Sequence, residues 1–209
     1  MYEALFDRFG PQGWWPGDSG LECIIGAILT QNTAWSNVEK AITNLKREGL
    51  ISVERLHETP VGRLAPLIRS SGYFNQKAKK IKHFIAFLVE RYDGSLEEMF
   101  GEDTASLRRE LLGINGIGPE TADSILLYAG GKPTFVVDAY TVRILQRHGL
   151  VPESTTYEEV QDAVIASLPE DPELFNEYHA LLVRVGKERC KKRSPVCEGC
   201  PLEGDPHNV

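Results

Sequence analysis

Apolar residues in this chain return every three to four positions, and that period sets the architecture before any single residue is considered. Segments near 2–9, 20–31, 36–48, 61–70, 75–92, 104–112, 119–129, 139–148, 157–168 and 173–187 each read as a helix with one apolar face. No convincing strand ladder appears. Oxygen-bearing side chains stand where several segments would begin: Ser19 before GLECIIGAIL, Asp103 or Thr104 before ASLRREL, and Thr155 or Thr156 before YEEVQDAV. Each could accept a hydrogen bond from a first-turn amide. With no repeat of 20 to 50 residues and no low-complexity linker, the pattern predicts a compact all-α protein.

A chain of 209 residues with 42% hydrophobic content can bury a sizeable core. Its longest apolar stretches, such as Cys23 to Leu29, fall far short of the roughly 18 residues a membrane span needs. The acidic, tryptophan-bearing N-terminus lacks a signal-peptide pattern, so a cytoplasmic protein without a membrane partner is expected. The formal charge of −7 weighs mildly against nucleic acid, and the distribution of the basic residues matters more. Lys77, Lys79, Lys80 and Lys82 fall close together, and Arg184, Lys187, Arg189, Lys191, Lys192 and Arg193 share ten residues with one acid, Glu188. Each run is either a solvated helix face or a set of phosphate ligands.

Residues 111–143, LLGINGIGPETADSILLYAGGKPTFVVDAYTVR, carry the densest chemistry. Gly116 and Gly118 ahead of Pro119 read as a tight turn into a helix whose first position tolerates proline. Bare backbone and first-turn amides suit an anion such as phosphate, although a ligand-free helix corner would look the same. Asp138, after Phe135-Val136-Val137, either caps the next helix or offers a fixed carboxylate to a reaction. Three of four cysteines, Cys190, Cys197 and Cys200, crowd into eleven residues, which suggests metal ligation, while Cys23 sits in an apolar run. All three tryptophans lie near the N-terminus, Trp14 and Trp15 before Pro16, and Trp35 after LTQNT. They are core anchors or the walls of a slot for a flat ligand.

The order LTQNTAW, SSGYFNQKAKK, LLGINGIGPETAD, FVVDAYTVR and CKKRSPVCEGC resembles the helix-hairpin-helix DNA glycosylases of the endonuclease III family across nearly the whole chain. WWP, LTQNT, GYFNQKAK, GIGPETADSIL and VVDAY are similar to the 3-methyladenine DNA glycosylase branch. The resemblance implies a two-lobed helical fold with a C-terminal iron–sulfur-type cysteine loop: a six-helix lobe over 20–132 and a second lobe of 1–19 plus 133–209. It implies a monomer bound to double-stranded DNA containing a damaged base, nucleoid-associated in a prokaryote. The alternatives are a glycosylase/lyase for oxidised pyrimidines or mismatches, and a non-catalytic damaged-DNA-binding module.

Residue by residue, the resemblance implies that Ile114, Asn115, Gly116, Ile117, Gly118 and Thr121 grip a backbone phosphate, with a monovalent cation, Na⁺ or K⁺, at the hairpin. Gln31 and Tyr73 would fill or wedge the base stack, with Asn75 and Lys77 beside them, and Lys191, Lys192 and Arg193 would touch phosphates. Trp14, Trp15, Pro16 and Trp35 would line the base pocket, and Asp138 would be catalytic. Cys190, Cys197 and Cys200 would hold a [4Fe–4S] cluster; the family's fourth cysteine position is Pro206, leaving His207 as the candidate fourth ligand, and zinc as another occupant of such a donor set. Bifunctional relatives carry a Schiff-base lysine where this chain has Glu120, and no lysine lies between Ala105 and Gly131. The expected enzyme is therefore a monofunctional N-glycosylase of base excision repair with weak or no lyase step.

Overall fold

A computed structural model describes residues 1–208, and every regular element among them is helical. In chain order these are α1 (Tyr2–Phe9), α2 (Gly20–Thr30), α3 (Trp35–Arg47), α4 (Val53–Glu58), α5 (Val61–Leu67), α6 (Phe74–Tyr92), α7 (Leu96–Gly101), α8 (Thr104–Gly113), α9 (Pro119–Ser124), α10 (Ala139–Arg147), α11 (Tyr157–Ala166) and α12 (Pro172–Glu188). None is long and apolar enough to cross a membrane. The helices form two compact units, one of residues 16–130 and one that joins residues 1–15 to the chain from 131 onward.

In the unit of residues 16–130, α2 is the central element. Its residues from Leu21 to Leu29 are all buried, and it packs against α3, α6 and α9. Ile24, Ile28, Leu45, Phe84, Leu88, Leu111 and Leu126 belong to one continuous core. Each such side chain contributes about 1.5–3 kcal/mol by leaving water. Beneath this core Asp123, fully buried, receives both Nε (2.8 Å) and Nη2 (3.0 Å) of Arg108.

In the other unit α12 packs against α10 and α1. Leu5, Phe135, Ile144, Phe175, Leu181 and Val185 fill the space between them. The approach of α10 to α12 is close enough to require glycine, because a Cβ on Gly186 would stand 2.5 Å from Tyr140 Cδ1.

The predicted helix starts are resolved in favour of Ser19, Asp103 and Thr156. Thr156 forms a reciprocal capping box with Glu159. Two predicted ends are corrected. The segment 61–70 stops at Leu67 and gives way to a 3₁₀ turn at Arg69–Ser71, and 119–129 changes after Ser124 into a π-helical turn at Ile125–Ala129. Helices α4 and α7 leave no periodic trace in the sequence, because six residues span under two turns.

Candidate active site

The hairpin is built by backbone. Gly113 ends α8, Ile117 N donates to Ile114 O at 3.0 Å, and Gly116 takes φ +95°, a conformation that favours glycine. Gly118 is extended and caps α9, with Pro119 at its first position. Ile114 and Ile117 turn their side chains into the core, while Asn115 is exposed. The sequence-predicted grip therefore falls to main-chain groups, since the two isoleucines offer nothing else.

Gln31 is fastened to this hairpin. Its Nε2 donates to Gly116 O (3.2 Å) and Thr121 Oγ1 (2.8 Å), and Lys80 Nζ donates to its Oε1. The aliphatic stem of Lys80 lies over Gly116, where a Cβ would meet its Cγ at 2.5 Å. Lys80 thus joins Gln31 to the glycine turn. Its place in the cluster Lys77–Lys82 is visible in the sequence, but nothing there marks it apart from its neighbours. Thr121, expected to face DNA, is buried, and its hydroxyl accepts from Gln31.

Lys77 is corrected outright. Predicted to meet DNA, it is 2% exposed, and its Nζ donates to Leu29 O (2.8 Å), Ser71 O (2.6 Å) and Thr33 Oγ1 (3.2 Å). Burial, with the nearby Lys80 charge adding, lowers its pKa to about 8. Its work is internal: one ammonium ties the end of α2 to the 3₁₀ turn that leads into Tyr73. The Tyr73 side chain is 75% exposed on a left-handed residue at the start of α6, and Asn75 is exposed beside it. The periodicity holds the clue, since Lys77 lies four residues before buried Ile81 and in phase with Phe84, Ile85 and Leu88.

In the other unit Asp138 caps α10. Its Oδ1 accepts from Tyr140 N (2.9 Å), Thr141 N (2.8 Å) and Thr141 Oγ1 (3.0 Å). Oδ2 takes no part in the cap and lies 3.8 Å from Nε2 of the buried His179 on α12. Both sequence readings of Asp138 are thus compatible, because one oxygen builds the helix start and the other is left over. The ring centroids of Trp14 and His179 are 6.4 Å apart, and Trp14 and Trp15 meet edge to face at 5.5 Å. The Trp14 carbonyl accepts from Asn176 Nδ2 (2.7 Å), one turn before His179 on α12. Pro16 and Trp35 belong to the other unit: Pro16 is exposed, and Trp35 is half-buried against the core at the first turn of α3.

The basic loop after α12 is shaped by two arginines that carry no distinguishing mark in the sequence. Arg143 Nε donates to Cys190 O (2.8 Å), and Arg147 Nη1 to Lys191 O (2.8 Å), with Nη2 reaching Lys192 O (3.2 Å). One turn apart on α10, they hold the loop backbone while Lys191, Lys192 and Arg193 remain exposed. Cys190, Cys197, Cys200 and His207 line one cavity of about 20 Å³, and no cysteine is in a disulfide. Burial foremost raises the Cys200 thiol, and the neighbouring Cys197 and Cys190 add to it. His207 Nδ1 donates to Asp205 O at 2.7 Å, which orients the ring. Among the described residues no three His, Cys, Asp or Glu side chains are placed to hold a metal ion. Three thiols and an imidazole are donors of the type that an iron–sulfur cluster or zinc takes.

Two helical units, a glycine hairpin opening a helix, and a helix-capping aspartate in the unit that carries the paired tryptophans define a helix-hairpin-helix protein. The model for the HhH-GPD superfamily of base excision DNA repair proteins matches residues 25–170. A Methanocaldococcus jannaschii protein whose name assigns it to the DNA repair glycosylases is 47% identical over 97% of this chain and 92% of its own length. Endonuclease III of Thermotoga maritima is 33% identical over 86% of this chain and 79% of its own. Among solved structures, an H. pylori 3-methyladenine DNA glycosylase bound to 1,N6-ethenoadenine superposes with a TM-score of 0.77 at 30% identity, covering 90% of this chain and 95% of that one. An endonuclease III trapped covalently on DNA gives 0.82 at 25% identity, covering 96% and 90%. This chain belongs to the HhH-GPD superfamily and is, by class, a DNA glycosylase of base excision repair.

Proposed function

We propose that this protein is a monofunctional glycosylase that hydrolyses the N-glycosidic bond of alkylated purines, such as 3-methyladenine, in duplex DNA. The observation that carries the reading is the division of Asp138: Oδ1 is spent on three hydrogen bonds, while Oδ2 stays outside the cap and faces the buried His179. The target bond is inaccessible inside a duplex, so the nucleotide must be extruded. As the bond breaks, positive charge builds on the sugar, and a carboxylate fixed by a helix start stabilises it without reorganising. The same oxygen can orient and deprotonate the attacking water. A purine made cationic by alkylation leaves without a general acid and gains attraction from an electron-rich indole face.

The weak or absent lyase step rests on Glu120, which occupies the position that the family resemblance assigns to the Schiff-base lysine of bifunctional relatives. Gly116, Gly118 and Lys80 present the hairpin to a phosphate, and a Na⁺ or K⁺ ion at its carbonyls would add to that grip. The exposed Lys191, Lys192 and Arg193 supply further cations for the DNA backbone. Cys190, Cys197, Cys200 and His207 would hold a [4Fe–4S] cluster, which when bound would anchor the basic loop. That loop's residues do the remaining work, with Arg143 and Arg147 fixing its carbonyls so that its cations point to solvent.

The test is base release from methylated duplex DNA by the wild type and Asp138→Asn, with strand nicking scored before and after alkali. Methylpurine release by the wild type alone, with nicks only after alkali, is expected. Intact methylated bases would refute the substrate class, and borohydride-trapped enzyme–DNA adducts would refute the monofunctional reading.

A further inference from the structure

His179 is fully enclosed, an uncommon place for an imidazole, and the side chains around it belong to the reaction's neighbourhood. Its Nε2 faces Asp138 Oδ2 at 3.8 Å. Its ring is flanked by Trp14 at 6.4 Å and by Phe135, edge to face, at 6.2 Å. Phe135 is itself fully buried, so the imidazole has little room to rotate.

The same helix sets the rest of this arrangement. Asn176, three residues earlier on α12, holds the Trp14 carbonyl, and Glu177 accepts from Gln12 N at 2.7 Å. A single helix therefore holds both the Trp14 backbone and the imidazole.

We propose that His179 is a positioning residue for base excision: its Nε2–H fixes the reactive Oδ2 of Asp138. This rests on the assignment of Asp138 to catalysis. A lone pair on Nε2 turned toward a carboxylate oxygen would repel it, so the hydrogen belongs on Nε2. At 3.8 Å the pair is further apart than a hydrogen bond, as such pairs often are before substrate closes them. Asp138 is free to swing toward it only through Oδ2, because Oδ1 is anchored. Burial foremost lowers the His179 pKa, with Asp138 opposing it and Lys187 adding to it.

The experiment pairs kinetics with a spectrum. Single-turnover excision and DNA affinity are measured for His179→Phe, which keeps the ring's bulk without its donor, and for His179→Gln, whose amide nitrogen can reach the place of Nε2. His179→Phe is expected to lose roughly 10- to 100-fold in turnover, the scale of a misplaced reacting group, with affinity unchanged. His179→Gln is expected to recover most of that loss, which a purely space-filling role would not allow. On the folded wild type, ¹⁵N NMR of the imidazole is expected to show Nε2 protonated, with its shift altered in Asp138→Asn. An unprotonated Nε2, or full turnover in His179→Phe, would overturn the proposal whatever the stability of the variants. Full turnover in Asp138→Asn would instead sink the catalytic assignment on which it rests.

Discussion

The three glycines around the hairpin should answer a Gly→Ala substitution in three different ways. Gly113 is the last residue of α8, and no atom lies within 4 Å of the point a Cβ would occupy, so alanine there should be neutral or stabilise by about 0.5–1 kcal/mol. Gly116 has φ +95°, and its Cβ would fall 2.5 Å from Lys80 Cγ and 2.8 Å from Cδ. The left-handed backbone costs an L-residue about 1–2 kcal/mol. Pushing the Lys80 stem off its rotamer adds about 0.5–1.5 kcal/mol, and loss of its charged hydrogen bond to Gln31 about 1.5–3 kcal/mol. Gly116→Ala should therefore destabilise by roughly 3–6.5 kcal/mol if the contributions add. At about 2–4 °C per kcal/mol for a chain of this size, the melting midpoint should fall by about 6–26 °C. Gly118 is extended with open space around it, so alanine should leave stability unchanged and weaken DNA binding by standing where a phosphate must approach. Thermal melting and fluorescence anisotropy on a short duplex read all three. A Gly116→Ala protein that melts with the wild type would refute the packing argument, and a Gly118→Ala protein that binds normally would refute the approach of phosphate to this backbone.

Lys77→Met should destabilise by about 1–3 kcal/mol, because Leu29 O and Ser71 O lose a buried donor while the cost of burying a charge is relieved. The difference should depend on pH. With a folded value near 8 against an ordinary 10.5, the wild type sheds a proton more readily when folded, so its advantage is smallest below pH 8 and grows between 8 and 10.5. Urea melts at pH 7 and pH 10 check the sign; an advantage that shrinks on alkalinisation contradicts it. Lys191→Ala and Lys192→Ala should each reduce the slope of log affinity against log salt by about 0.9 for every phosphate left without its cation, with the fold unaltered. An unchanged slope removes those side chains from the interface.

Most helices are legible because their apolar stripes persist for two turns or more and several begin at a capping side chain. Helices α4 and α7 escape although Ser52 and Ser95 cap them as Ser19 caps α2, since a cap without a following period is also how an ordinary turn begins. The hairpin and Asp138 are readable from glycine, proline and aspartate at fixed offsets. What stays hidden is orientation within a helix. Four lysines crowd the start of α6, and only the phase of the buried stripe separates Lys77, turned inward, from Lys80, folded over Gly116. His179 has no local mark either: flanked by Tyr178 and Ala180 on the buried face of α12, it reads as ordinary core until Asp138 is placed against it. Arg143 and Arg147 acquire their task only when a loop more than forty residues later returns to them.

The division of labour between the two oxygens of Asp138 also bears on how such a protein can change over generations. Asparagine would preserve the oxygen that starts α10 and replace only the one turned toward His179, so a single nucleotide change could silence the chemistry and spare the architecture. On the catalytic role proposed for Asp138, a gene copy altered in this way would encode a folded protein that has lost its chemistry. Catalysis would then be surrendered without first passing through an unstable intermediate, which would make the path from repair enzyme to binding module a short one.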